Sequence, residues 1–293
     1  MQAEELLKKG DLAGALAALQ DRVRKDPSDA KLRIFLFQLL SVMGDWTRAI
    51  QQLKSSGTLD AAANTMAQMY REAIICEVYR EKVFAGEKAP LIFGEPEDWL
   101  AWMIEAVKMQ AGGNLAAAED LRGKAFEVAP ASAGSVNGTD FEWIADADPR
   151  LGPVLELVVN GRYFWAPFTA VHRLEFDPPS DLRDRVWTPA TVTWANGGDA
   201  VALIPTRYAG TTAKGDDAQK LARSTDWLGE GDSVTEGLGQ RLLATDQDDY
   251  ALMDIREIVI GEPPVVELPE GAPKDAAEGT PGETPSAEGS SDG

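Results

Sequence analysis

Residues 141–168 read FEWIADADPRLGPVLELVVNGRYFWAPF. The segment opens with two aspartates one residue apart, Asp146 and Asp148, and continues into apolar runs on either side of Asn160-Gly161. Asn-Gly favours a two-residue hairpin turn, because both central positions need positive φ, which Asn tolerates and Gly adopts freely. Apolar residues recur at helical spacing before this segment, whereas strand alternation and turn signals follow it. We therefore place the change from helical to β structure here.

The part before this segment, residues 1–130, contains a repeated helical pattern. Gly-Asp occurs at residues 10 and 44, and Gly-Asn at residue 113, each followed by small and large apolar residues at helical spacing. The spacing of 34 between the first two copies resembles the tetratricopeptide repeat, in which Gly ends one helix and Asp caps the next. The third copy begins 69 residues after the second, close to two periods. We therefore expect a degenerate repeat between them.

Stacked helix pairs form a curved surface that can bind a peptide or a helix. We predict that an amphipathic helix places its apolar side chains in such a groove. The candidate partner-binding positions are Ile34, Gln38 and Val42 on one helix and Met103 and Val107 on another. The alternative is an exposed sheet edge, where a peptide adds as a strand.

The fold class that follows is α+β and multidomain. We predict a tetratricopeptide-like α-solenoid over 1–130, a linker over 131–140, a small antiparallel β-barrel-like domain over 141–261, and a disordered acidic tail over 262–293. The tail contains eight acidic residues and one lysine, with six of the 17 prolines. Within the β-rich part we interpret residues 215–223 as one short helix, and the glycine-rich segments 229–231 and 237–239 as loops.

Composition limits the possible functions. A net charge of −20 argues against a protein that coats nucleic acid, which needs clustered Lys and Arg. No apolar run approaches the ~20 residues that span a bilayer, so we expect no membrane insertion. The acidic N-terminus passes directly into a helical pattern and does not resemble a signal peptide, which indicates a cytoplasmic protein. The single cysteine, Cys76, excludes an intrachain disulfide.

Few residues have the pattern of a catalytic or cofactor site. His172 is the only histidine and lies in a strand pattern, and Cys76 lies in a helical one. Asp146 and Asp148 could share a divalent cation through their carboxylates, with Glu142 or Glu156 as further ligands. Arg150 stands two residues after Asp148, however, and arginine forms oriented pairs with carboxylates. We therefore interpret Asp146, Asp148 and Arg150 as a structural junction, with no catalytic residue, metal or cofactor predicted.

Several further motifs resemble one family, the ImpE/SciE/TagJ family of type VI secretion gene clusters. They are FEWIADAD at 141–148, RLGP at 150–153, NGRY at 160–163, IPTRY at 204–208 and GLGQR at 237–241. The resemblance implies a non-enzymatic accessory protein that binds the N-terminal helix of the small contractile-sheath subunit. It also implies an association with the AAA+ ATPase that disassembles the sheath. It gives no catalytic residues to transfer to this chain.

Two alternatives from other classes stay open. One is a metal-dependent hydrolase or transferase that uses Asp146 and Asp148, for which Asp146→Ala should abolish divalent-ion binding without unfolding the protein. The other is a generic repeat scaffold that binds some other client.

Overall fold

The computed structural model describes residues 2–95, 97–230 and 233–263 of the chain. Seven helices of at least seven residues come first among these, and two short ones follow within the β-rich part. Their bounds are α1 (Gln2–Lys8), α2 (Leu12–Lys25), α3 (Ala30–Met43), α4 (Trp46–Leu59), α5 (Asn64–Phe84), α6 (Asp98–Ala111), α7 (Leu115–Val128), α8 (Thr211–Lys214) and α9 (Asp217–Lys220).

The glycine positions of the repeated pattern are the turns between paired helices. Gly10, Gly44 and Gly113 all have φ between 77° and 85°, the left-handed conformation that ends a helix at low cost only for glycine. The side chains of Asp11 and Asp45 then accept hydrogen bonds from the first turns of α2 and α4. The Gly-Asp signal therefore marks the junctions α1–α2 and α3–α4, and Gly-Asn marks α6–α7.

The expected degenerate repeat is not found between α4 and α6. The described residues of this span contain a 3-10 helix (Ala61–Ala63), one long helix, α5 (21 residues), and a two-residue strand. Helix α5 packs against α4, α6 and the sheet. The regular pairing of helices is therefore interrupted at α5 and resumes with α6 and α7.

The β-rich part contains most of the strands. Their bounds are β1 (Leu91–Ile92), β2 (Gly134–Val136), β3 (Thr139–Phe141), β4 (Ile144–Asp146), β5 (Val154–Val159), β6 (Arg162–Pro167), β7 (Val171–Phe176), β8 (Trp187–Trp194), β9 (Asp199–Pro205), β10 (Thr225–Glu230), β11 (Ser233–Gly239), β12 (Leu242–Thr245), β13 (Asp249–Ala251) and β14 (Glu257–Ile260). Nine of them form one sheet in the order β1-β6-β5-β9-β8-β7-β14-β2-β3. Strands β10 and β11 form a hairpin, and β13-β12-β4 form a small third sheet.

The large sheet is open, so the prediction of a barrel-like domain is wrong. Its end strands are β1, which the helical half contributes in parallel to β6, and β3. Closure is not needed to bury this sheet, because each face has its own core. Val154 and Val158 of β5 pack in the core shared with the helices, whereas Leu155 and Leu157 pack in a second core on the opposite face. Burial on both faces explains why every residue of β5 except Glu156 is apolar, instead of apolar and polar residues alternating.

Other boundaries also differ from the predictions. The segment assigned to a linker, 131–140, contains β2 and the first two residues of β3, so it belongs to the sheet. Of the glycine-rich segments interpreted as loops, residues 229–230 lie in β10 and 237–239 lie in β11, whereas residue 231 is outside the described residues. The short helix predicted within 215–223 is present as the single-turn helix α9. Most of the predicted tail, residues 264–293, lies outside the described residues.

Within the part of the chain that the structure describes, no helix combines the length and the apolarity needed to cross a bilayer.

Candidate functional site

The Asp-x-Asp-Pro-Arg segment folds into a turn that its own side chains hold. Oδ1 of Asp146 accepts a hydrogen bond from the backbone N–H of Asp148 (2.9 Å), and Oδ1 of Asp148 accepts one from the N–H of Arg150 (2.9 Å). Both aspartates are buried, and both therefore satisfy backbone donors in a place that water does not reach. The two-residue spacing of Asp146, Asp148 and Arg150 is therefore explained by hydrogen bonds within one turn.

Arg150 connects this turn to two other elements. Its guanidinium pairs with Asp148 (Nη2 to Oδ2, 2.5 Å) and with Glu236 on β11 (Nη1 to Oε2, 2.9 Å). It also lies over the ring of Phe84 at the end of α5, 4.9 Å from the centroid. The backbone N–H of Gly237 donates to Asp148 as well, at 2.9 Å. These contacts fit the predicted junction role, which stays a prediction until the residues are substituted.

A second ion-pair cluster, not foreseen from the sequence, links the helical half to the sheet. Glu156 of β5 points towards α5, where it accepts hydrogen bonds from Arg80 at 2.7 and 2.8 Å. Its carboxylate also contacts the guanidinium of Arg241 and the hydroxyl of Tyr163. Arg80 additionally donates to the backbone oxygen of Arg207 at 3.0 Å. The only hint in the sequence was a lone charge inside the apolar run of β5.

Asp146 belongs to the same buried network. Its Oδ2 lies 3.1 Å from Nε of Arg241, an ion pair without hydrogen-bond alignment. Burial raises the pKa of Asp146 to about 7, against the opposing effect of the Arg241 charge. Burial also lowers the pKa of Arg241, to about 10. Each charged form is therefore costly to bury, and the pair offsets part of that cost.

These contacts bear on the metal-site alternative. Asp146 and Glu156 face the guanidinium of Arg241, and Asp148 faces that of Arg150, so the carboxylates converge on cations of the chain. Among the described residues, no group of three or more His, Cys, Asp or Glu side chains is arranged to hold a metal ion.

Two further arginines of the β-rich part cap the ends of helices. Arg207 is buried and donates through Nη1 to the backbone oxygen of Val42 near the end of α3, at 2.7 Å. Arg223 donates to the oxygens of Leu7 and Lys8 at the end of α1, at 2.9 and 3.2 Å. A cation at a helix C-terminus is favourable because it meets the unpaired carbonyls and the negative end of the helix dipole. Both contacts fix helices of the repeated half onto the sheet.

The predicted partner-binding residues divide into two sets. Val42, Met103 and Val107 lie in the core, each 3% exposed or less. Ile34 and Gln38 instead lie on the same face of α3 and line an open cavity of about 650 Å³. Ile34 is partly exposed in this cavity, whereas Gln38 lines it with only 6% of its surface exposed, and the other three side chains lie in the interior. Helical periodicity could not separate these sets, because it does not show which face a second element covers.

We call this cavity the α1–α3 groove. Its walls come from α1, from α3, and from the connection between β7 and β8. They are lined by Glu4, Leu7, Lys8, Lys31, Leu32, Ile34, Phe35, Gln38, Pro179, Ser180, Asp181, Leu182, Arg185, Leu221 and Arg223. Apolar side chains form much of the lining, and four of the charged ones are basic, in a chain whose net charge is −20.

His172 and Cys76 have structural contacts. Nδ1 of His172 lies 2.9 Å from the backbone oxygen of Ile260, which links β7 to the end of β14. Cys76 is buried in α5 and its Sγ donates to the oxygen of Gly161, at 3.2 Å. Burial raises the pKa of this thiol to about 12, so it is the neutral form that packs there.

Fold and site together define an α+β protein in which a row of paired helices lies on an open sheet. Most of its buried charged side chains bind one another, and an amphipathic groove lies open on the helical side. Comparison with known proteins agrees with this class. Residues 138–259 match the sequence profile of the family described as ImpE protein.

The chain is also 54% identical, over 258 residues, to the type VI secretion system accessory component TagJ of Pseudomonas aeruginosa. The aligned region covers 88% of this chain and 90% of that protein. A crystal structure of a protein from Vibrio parahaemolyticus superposes with a TM-score of 0.81 at 25% identity, covering 89% of this chain and 98% of the other. This chain belongs to the ImpE family, together with TagJ.

Proposed function

We propose that the chain is a non-enzymatic accessory protein of a bacterial type VI secretion system that acts in the cytoplasm. The support is its 54% identity to a protein named as an accessory component of that system. The contacts of Asp146 and Asp148 also favour a non-enzymatic protein over a hydrolase or transferase, because both carboxylates are paired with arginines.

The finer proposal is an adaptor for the contractile sheath. An amphipathic helix at the N-terminus of the small sheath subunit would bind in the α1–α3 groove, and the AAA+ ATPase that disassembles the sheath would be a second partner. The observation that carries this proposal is the groove itself, an open cavity in which Ile34 and Phe35 are partly exposed beside the buried Gln38. Helix-in-groove recognition needs such an apolar floor with a polar rim.

Isothermal titration with the sheath subunit's N-terminal peptide tests the adaptor proposal. Ile34→Glu places a charge on the apolar floor, and we expect binding to weaken at least tenfold. Val201→Glu is a matched control, since Val201 is 71% exposed on β9 and should tolerate the same change. Met103→Glu is not a useful variant, because Met103 is fully buried in α6.

Two results would count against the adaptor proposal. Equal affinities for wild type, Ile34→Glu and Val201→Glu would exclude this groove and leave a sheet edge, β1 or β3, as the alternative site. No binding of the peptide by the folded wild-type chain would exclude the sheath helix as the ligand and favour a scaffold for another client.

A further inference from the structure

Two arginines at one end of the α1–α3 groove have only neutral hydrogen-bond partners. Arg185, at the end of a short 3-10 helix (Leu182–Arg185), donates to the sulfur of Met253 at 3.3 Å. Arg223 donates to two backbone oxygens of α1. Neither forms a salt bridge within 4.0 Å with any described carboxylate, whereas Arg80, Arg150 and Arg241 each pair with at least one.

The two guanidinium groups also repel one another. Burial and the positive charge of Arg223 lower the pKa of Arg185; the negative charge of Asp184 opposes them without cancelling them, so the charged form of Arg185 is still held at a cost. A carboxylate near both groups would reverse this cost, because an opposite charge stabilises each of them. This end of the groove is therefore electrostatically incomplete.

The nearby aspartates are already engaged. The carboxylate of Asp184 accepts hydrogen bonds from the backbone N–H groups of Ser180 and Asp181, both at 2.7 Å. Asp181 in turn pairs with Arg183 at 2.6 Å. Both carboxylates therefore have partners of their own, and neither forms a salt bridge with Arg185.

Much of the remaining lining of the groove is apolar. Leu7, Leu32, Phe35, Leu182 and Leu221 all contribute to it. An occupant that matches both features must present apolar side chains to this floor and an acidic side chain to the arginines.

We infer that the segment bound in the α1–α3 groove inserts a carboxylate side chain between Arg185 and Arg223, flanked by apolar residues at helical spacing. This inference rests on the proposed function, since it names the contact by which the same groove would select the sheath helix. Arginine suits such a contact because its planar group binds a carboxylate through two parallel hydrogen bonds. Apolar burial would then supply affinity, and the acidic residue would set the register and direction of the helix.

Titration with two peptides tests this contact. One is the sheath subunit's N-terminal peptide, and the other has each Asp and Glu replaced by Asn and Gln. We expect Arg185→Gln to bind the first peptide roughly tenfold or more weakly, as the loss of a charged hydrogen bond implies. The second peptide should bind wild type equally weakly, with no further loss on Arg185→Gln. Arg185→Lys keeps the charge and should recover part of the affinity.

Arg24→Gln is the matched control, because Arg24 is exposed on α2 and pairs only with Asp21 there. Thermal melting of each variant confirms that it is folded. Unchanged affinity in Arg185→Gln together with weak binding in Ile34→Glu would overturn the carboxylate contact and leave the adaptor proposal standing. Unchanged affinity in both variants would overturn both. A third result would also overturn the inference. If deleting residues 264–293 removes the effect of Arg185→Gln on peptide affinity, the carboxylate that contacts Arg185 comes from this chain and not from the peptide.

Discussion

Glu156 is a carboxylate with no solvent exposure that lies between the guanidinium groups of Arg80 and Arg241. A buried charge is tolerated only when its partners replace the water it has lost. Here the partners are Arg80 of α5, Arg241 between β11 and β12, and Tyr163 of β6. This one side chain therefore connects three parts of the molecule.

We expect Glu156→Gln to lower the free energy of unfolding by about 3–5 kcal/mol, because two buried arginines then lose their shared counterion. Urea denaturation followed by circular dichroism measures this loss. Glu175→Gln is the control, since Glu175 forms a half-exposed pair with Arg173 and should change stability by at most ~1 kcal/mol. Similar small losses in both variants would contradict the role given to Glu156.

Asp146 makes stability depend on pH. Its pKa in the folded protein is about 7, above the ordinary value of 3.8, so between these values the folded state binds more protons than the unfolded state. The contribution of this group to stability therefore falls as pH rises through that window and is constant above it. We expect Asp146→Asn to lose this decline between pH 5 and pH 8, as urea titrations at both values would show. An unchanged pH dependence in the variant would contradict the assignment.

Contacts between individual residues could be predicted from the sequence where the two partners are close in the chain. Asp148 and Arg150 are two positions apart, and their pairing followed from that spacing and from arginine chemistry. Arg80 and Glu156 are 76 positions apart, and only the packing of α5 on the sheet brings them together. The same limit applies to Val42, Met103 and Val107, because helical periodicity marks an apolar face without showing what covers it.

At the junctions between helices, glycines with the same backbone conformation have different surroundings. Gly44 and Gly113 both end helices with positive φ, but their surroundings differ. A Cβ on Gly44 would lie 2.7 Å from the Cβ of Thr212 in α8, whereas a Cβ on Gly113 would meet no atom within 4 Å. The first glycine is therefore needed for conformation and for close contact, and the second for conformation alone.

This difference gives a paired prediction. Gly113→Ala should cost about 1–2 kcal/mol of stability, the usual penalty for a side chain in the left-handed region. Gly44→Ala should cost clearly more, because α8 must also move. Denaturation curves of the two variants compare the losses directly, and equal values would show that the contact with Thr212 has no energetic weight.

The elements also show why the barrel prediction failed while the helices were placed well. Caps and glycine turns are local, so the junctions that precede α2, α4 and α7 could be placed from the sequence. The shape of a sheet depends on pairing between distant strands, such as β14 with β2 and β7. The β10–β11 hairpin was missed because its glycines resemble loop residues, although Gly237 and Gly239 pair with Trp227 and Thr225.

For the whole molecule, one core is shared by the two halves. Tyr70 of α5 lies 5.6 Å from Trp187 of β8, and Phe84 lies 6.1 Å from Trp165 of β6, measured between ring centroids. These ring contacts and the buried Arg80–Glu156 ion pair join the helical half to the sheet. The sequence predicts separate helical and β-rich domains. Whether the two halves unfold together or separately tests that prediction.

We expect one unfolding transition in scanning calorimetry, with a van't Hoff enthalpy equal to the calorimetric one, because opening either half exposes the shared core. Two resolved transitions would show that the halves are independently stable.

The proposal that the α1–α3 groove binds the N-terminal helix of the small sheath subunit concerns the whole molecule. Hydrogen–deuterium exchange of the full chain, with and without that subunit, tests it because the measurement maps the bound surface without substitutions. We expect slower exchange in α3 around Ile34 and Gln38 and in residues 179–185. Slower exchange confined to a sheet edge, with both of these segments unchanged, would contradict it.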